Sequence, residues 1–290
     1  MATFYQSKKG IFLIHCPDKK GIISSVTEFI LSKKWNITCL QQNVDSEDSI
    51  FSMRIEWEYL DENLSKDDLT LEFNNKIGKK YTMYFLCFLN ETSVSTALFV
   101  SKDSHCLLDL LSRWKYKELP INIKLIIGNH EEIKTYADMF SVPFHYLPIS
   151  SQTKATVEKK QLELLKKYDI NLIILARYMQ ILSPSFISNY DYKIINVHHS
   201  FLPAFPGAKP YHNAYQRGVK LIGSTSHYVT PELDAGPIIS QQVTNVSHRE
   251  SILDFVRMGR ELEKNVLANA IWLHVNRKTL VIKNRVVVFD

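Results

Sequence analysis

Cysteine is scarce in this sequence, with 4 residues in 290, at Cys16, Cys39, Cys87 and Cys106. Their scatter offers no CxxC pair for zinc and no dense framework of the kind small secreted domains need, so they read as reduced packing residues. Apolar runs are short as well. None approaches the roughly 18 to 20 uncharged residues of a membrane span, and Met1 to Gly10 lacks the apolar core of a signal peptide. The expectation is a cytoplasmic protein without membrane contact. The net charge is only +5, and lysines are spread along the chain instead of forming a basic stripe, which gives no sign of nucleic acid. The ten histidines are mostly dispersed, and no closed set of Cys, His and Asp stands at zinc spacing, so no metal and no cofactor are expected.

With 45% hydrophobic residues over this length, two domains can each bury a core. Residues 11 to 16 are a short apolar strand ending in the breaker-rich Pro17-Asp18-Lys19-Lys20-Gly21. Ile22, Ile23, Val26, Phe29 and Ile30 then recur at helical spacing, and Asn36 opens an extended stretch. A strand over 49–59, a weaker helix over 64–77 and a β-prone run from Tyr81 to Leu89 complete a βαββαβ order, a ferredoxin-like domain placed at 7–89. From Val94 onward strands at 94–100, 121–127, 171–175 and 193–197 alternate with helices. This is the pattern of an α/β, Rossmann-like, mostly parallel sheet, and the second domain is placed at 94–290. A long amphipathic helix over 251–275 and a hairpin over 279–289 close the chain.

Chemistry concentrates between Ile195 and Ile239. Asn196 and His198 follow a strand, and residues two apart at a strand's end face one side, so both can enter one crevice. An amide donor beside an imidazole suits polarising a carbonyl. Further on, Leu233-Asp234-Ala235-Gly236-Pro237 sets a carboxylate on a tight turn, where it can orient water or keep a histidine protonated, with His227 as a candidate partner. Singly, each has a plain alternative: Asn196 as a turn cap, His198 or His199 as a satisfied structural histidine, Asp234 as a turn former. Only their joint arrangement favours chemistry.

The run Asn196-Val197-His198-His199-Ser200-Phe201-Leu202-Pro203, with His227 and Leu233-Asp234-Ala235-Gly236 downstream, resembles the signature of the folate-dependent formyltransferase superfamily. The resemblance implies a catalytic triad of Asn196, His198 and Asp234. It implies a pterin pocket at Arg177, Tyr178, Met179, Gln180 and Leu182 and at the turn carrying Thr230 and Glu232. Arg177 is open between the folate glutamate tail and a surface ion pair. The stretch from Asp18 through Gly21 to Ile22, with Asn36, resembles an ACT domain, implying an amino-acid effector and a homo-oligomer built through that domain. The doubled His198-His199 and Gly207-Ala208-Lys209-Pro210-Tyr211-His212 resemble the superfamily's hydrolytic members. They imply 10-formyltetrahydrofolate as the substrate, tetrahydrofolate and formate as products, and a formate supply for purine synthesis. Members that transfer to a phosphoribosyl amine carry a Gly/Ser-rich phosphate turn after the first strand. Here the stretch from Ser101 to Cys106 has no glycine and holds Asp103, which favours water as acceptor. A formyltransferase using a small amine acceptor is the alternative, and a non-catalytic amino-acid-responsive regulator is the reading from another class.

Overall fold

Strand and helix signals alternate differently in the two parts of the chain, and the structure follows that division. It is a computed structural model describing residues 8–60, 63–90, 93–203 and 210–289; Gly207, Ala208 and Lys209 of the motif above lie outside the described residues. Two compact units separate between Thr92 and Ser93.

The first unit runs β1 (Lys8–Pro17), α1 (Ile22–Ser32), β2 (Asn36–Asp45), β3 (Ile50–Tyr59), α2 (Lys66–Phe73), α3 (Lys79–Tyr81) and β4 (Tyr84–Leu89). Its four-stranded sheet has the order β2-β3-β1-β4, with every pair antiparallel. Helix α1 begins after Gly21, whose φ of 89° is the left-handed conformation that suits glycine. Its buried Ile22, Val26, Phe29 and Ile30 form one stripe against the sheet. Tyr81, read from the sequence as the start of a strand, instead ends α3, where its hydroxyl pairs with Ser25 Oγ at 3.0 Å. Thr82 then reverses the chain in a left-handed conformation.

The second unit contains β5 (Val94–Val100), α4 (His105–Lys115), β6 (Ile121–Gly128), α5 (Lys134–Met139), β7 (Phe144–Tyr146), α6 (Lys154–Lys167), β8 (Leu172–Leu175), α7 (Pro184–Ile187), β9 (Ile194–His198), α8 (Pro210–Arg217), β10 (Leu221–Tyr228), β11 (Ile238–Asn245) and α9 (Ile252–Val275). The sheet order is β11-β10-β9-β8-β5-β6-β7, parallel from β7 to β9 and antiparallel at β10 and β11. Strands β5 and β8 are apolar nearly throughout and buried, as strands covered on both faces must be. The chain builds β6 and β7 to one side of β5 and β8 and β9 to the other, which opens a crevice at the carboxyl ends of β5 and β8. Helix α9 starts with a capping box in which Ser251 and Asp254 each bond the other's backbone N–H. No helix among the described residues is long and apolar enough to cross a membrane.

The hairpin of β12 (Thr279–Ile282) and β13 (Arg285–Val288) forms as expected, and its residues divide between the two units. Residues 283–286 group with the second unit, and 277–282 and 287–289 on either side of them group with the first. The cause is apolar: Leu280, Ile282 and Phe289 bury against Leu13, with Ile11 and Phe88 beside them, and so cover the sheet face that α1 leaves bare.

Candidate active site

Strand β9 delivers the first two groups. Asn196 and His198 are two apart on it and face one side, and the antiparallel register with β10 sets His227 opposite Asn196 and Thr225 opposite His198. Asn196 Nδ2 lies 3.3 Å from His227 Nε2. The carboxylate arrives from the loop between β10 and β11. Tyr228 N donates to Pro237 O at 3.0 Å, which folds this loop back onto β10. Gly236 allows it, since a β-carbon there would overlap the Tyr228 carbonyl oxygen. Asp234 takes a φ of 54°, a left-handed conformation that aspartate tolerates better than most residues. Its Oδ2 reaches His198 Nδ1 at 3.2 Å and its Oδ1 lies 3.7 Å from His227 Nε2. The neighbouring imidazoles of His198, first, and His227 hold the Asp234 carboxyl well below the usual carboxylate range, outweighing the opposing effect of partial burial. The far nitrogen of His198, Nε2, is buried and has no hydrogen-bond partner among the described residues. An imidazole with one nitrogen on a carboxylate and the other unpaired beside an amide is arranged to meet a developing oxyanion.

These groups open onto a cavity of about 560 Å³. Tyr178, Met179, Gln180 and Leu182 line it from the loop after β8, and Thr230, Glu232 and Leu233 from the loop after β10. The first loop is braced at several points: Met179 N donates to Ser101 Oγ at 2.9 Å, Gln161 Nε2 to the Tyr178 hydroxyl at 3.0 Å, and Ser183 N to Glu158 at 2.9 Å. A pocket wall fixed by buried polar contacts keeps its shape before any ligand arrives.

Arg177 opens that loop with a φ of 63°. Its guanidinium is no surface ion pair: the side chain is only 11% exposed, bonds Asp103 Oδ2 at 3.0 Å and lies 3.4 Å from Glu263 Oε2. Glu263 also meets His105 Nε2 at 2.9 Å. Burial alone would raise the Glu263 carboxyl, but His105, Arg177 and the Tyr211 hydroxyl together pull it below its ordinary value. His105, Cys106 and Glu263 form the described cluster whose donor atoms lie close enough to share a metal ion. Its chemistry suits a cation poorly, since burial and the Glu263 charge push the Cys106 thiol up, disfavouring the thiolate, and Arg177 already supplies positive charge.

A family model described as formyl transferase matches residues 94–271. A formyltetrahydrofolate deformylase of Synechocystis is 44% identical over 98% of this chain and 99% of its own length. One from Bacillus subtilis is 44% identical over 97% of this chain and 94% of its own. The chain belongs to the formyltetrahydrofolate deformylase family. The crystal structure of a deformylase from Pseudomonas syringae superposes with a TM-score of 0.93 at 39% identity, covering 99% of this chain and 96% of that one.

In this deformylase-family fold, Asn196, His198, His227 and Asp234 come together, and Arg177, Tyr178, Met179, Gln180, Leu182, Thr230 and Glu232 line the same cavity. The effector residues do not come together within one chain. Asp18 N bonds Ser49 O at one end of β3 while Asn36 pairs with Glu58 at the other, nine residue steps along the strand or roughly 30 Å away. Ile22 is buried in the first unit's core. Glu263 and Tyr211 were not anticipated as site residues. The signal for Glu263 lay in α9, where a carboxylate interrupts the buried stripe of Phe255, Leu262, Val266 and Ile271. Nothing in the sequence marks Tyr211 as its partner.

Proposed function

We propose that this chain hydrolyses the formyl group of 10-formyltetrahydrofolate, giving tetrahydrofolate and formate. The observation that carries the reading is the Asn196, His198 and Asp234 constellation at the wall of a preformed cavity. Water adds to the formyl carbon, and the oxygen that becomes negative is met by the Asn196 amide and by protonated His198 through Nε2. Asp234 remains ionised, binds and orients the water, and supports transfer of its proton to the folate nitrogen as the carbon–nitrogen bond breaks. Backbone groups of 177–182 and 230–234 read the pterin edge.

The first unit, with residues 277–282 and 287–289, serves as an ACT-type regulatory domain in this reading, and the second unit as the catalytic one. Because Asp18, Gly21 and Ile22 stand far from Asn36 in one chain, an amino-acid effector held by both sets requires a second copy, consistent with a homo-oligomer. The proposed setting is cytoplasmic, with formate passing to purine synthesis and no metal or cofactor in the step. The test is formate release from 10-formyltetrahydrofolate with no other acceptor present. Release that begins only when an amine is added would make the chain a transferase.

A further inference from the structure

The cavity has two sides. One is formed by 178–182 and 229–233, the loops assigned to the folate; the other is formed by His105, Arg177, Tyr211, Arg260 and Glu263. With the folate held by the first side, the second side is what remains for an acceptor other than water, whose nitrogen would have to come to about 3 to 3.5 Å from the formyl carbon. Tyr211 lines that second side. The residue is buried, at 8% exposure. Its ring lies 6.1 Å from the ring of His199, which in turn lies 5.2 Å from that of His198. Helix α9 is shaped around the Tyr211 ring: at Gly259 a β-carbon would overlap it. One turn later Glu263 Oε1 accepts the tyrosine hydroxyl at 2.6 Å. The other carboxylate oxygen faces His105 at 2.9 Å and Arg177 at 3.4 Å, and Arg177 ties the group to Asp103 after β5. Both oxygens of Glu263 are therefore engaged inside the protein, leaving neither to hold an amine.

We infer that the Tyr211 ring, anchored by Glu263, is the specificity-determining element that keeps acceptors larger than water from the formyl carbon. The inference rests on the hydrolase reading above. Glu263 is a positioning residue that acts through Tyr211. Removing the ring admits a small amine: its nitrogen bonds to the formyl carbon, the carbon–nitrogen bond to folate breaks, and the folate nitrogen takes the proton that the amine loses. No oxidant or reductant enters.

The experiment uses full-length protein, 10-formyltetrahydrofolate and excess hydroxylamine, with formohydroxamate and formate measured separately after subtracting an enzyme-free control. The unchanged chain is expected to yield formate almost alone. In Tyr211→Ala the hydroxamate-to-formate ratio should rise by about tenfold or more, within the range that pocket shape alone can discriminate. Tyr211→Phe, which keeps the ring but loses the anchoring hydroxyl, should raise the ratio as Glu263→Ala does and less than Tyr211→Ala. Glu263→Ala should raise the ratio, while Glu263→Gln, which can still accept the hydroxyl, should not. Where Tyr211→Ala does not fold, Tyr211→Leu replaces it. An unchanged ratio in a variant that still releases formate overturns the inference while leaving the hydrolase reading intact. Loss of all turnover in every Tyr211 variant also overturns it, because exclusion assigns the ring no part in the chemistry. If the unchanged chain releases no formate even without hydroxylamine, the hydrolase reading falls and takes this inference with it.

Discussion

Replacing Asp234 by asparagine isolates charge from shape. Asparagine is isosteric and is among the few residues at ease with the φ of 54° found here, so the loop keeps its course. What changes is electrostatic. At 3.2 Å from His198 Nδ1 and 3.7 Å from His227 Nε2, a full negative charge becomes an amide dipole whose NH₂ end has to face one of the two rings. His198 then loses the partner that supports its protonated form, and the attacking water loses its acceptor. A positioned acid–base group is worth about 10² to 10⁴ in rate, so kcat should fall by that factor, or about 3 to 5 kcal/mol in activation free energy. The folate loops at 177–182 and 229–233 are untouched, so KM should stay within about threefold. The assay is formate release and tetrahydrofolate formation at several substrate concentrations, beside a melting curve. Lost folding stability should be about 1 kcal/mol, because the carboxylate keeps 21% side-chain exposure. The sign with pH is fixed by the depressed carboxyl: its contribution is present above the ordinary aspartate range and is lost as pH falls toward the folded value. The stability gap between the two proteins should therefore hold from about pH 5 to 8 and narrow below about pH 4. A variant with kcat within threefold of the unchanged chain would refute the role given to Asp234.

Gly236→Ala forces the loop off the Tyr228 carbonyl, and should lower kcat at least about tenfold while costing about 1 to 3 kcal/mol of stability; normal turnover would show that the loop need not lie flush on β10. Gln161→Leu leaves the Tyr178 hydroxyl without its buried donor, which should cost about 1 to 3 kcal/mol and raise KM more than it lowers kcat, as initial rates would show. Burial first, and the Arg177 charge second, push the His199 imidazole down to about 4. An unfolded histidine takes its proton near pH 6.5, so stability should fall as pH drops from about 6.5 to 4, by at most about 3 kcal/mol; denaturant melts of His199→Gln should lack that slope.

The meeting of Asn196, His198 and Asp234 was legible in the sequence because its signals are local. Asn196 and His198 need only a strand's alternation to share a face, and Asp234 needs only the turn built by Gly236 and Pro237. The pocket loop after β8 was legible through its likeness to a known motif, not through its bracing, since Glu158 and Gln161 come from α6 and Ser101 from just after β5. Long-range partnerships stayed hidden. Glu263 meets Tyr211, 52 residues away, and His105, 158 residues away, and no spacing rule links them. The separation of Asp18 from Asn36 was equally hidden, because only the register of β2 and β1 on β3 reveals which strand ends lie together. Tyr81 looked β-prone by composition, but its hydroxyl finds Ser25 only if it stays helical.

The hairpin near the end of the chain gives the first unit an unusual timing. Leu13 emerges early in synthesis, yet Leu280, Ile282 and Phe289, which cover it, follow more than 260 residues later. At a ribosomal rate of about 5 to 20 residues per second, that sheet face stays wet for roughly 10 to 50 seconds. Chimaeras that exchange only residues 1–90 between relatives would inherit a mismatched cover, so a working exchange has to carry residues 277–289 with them.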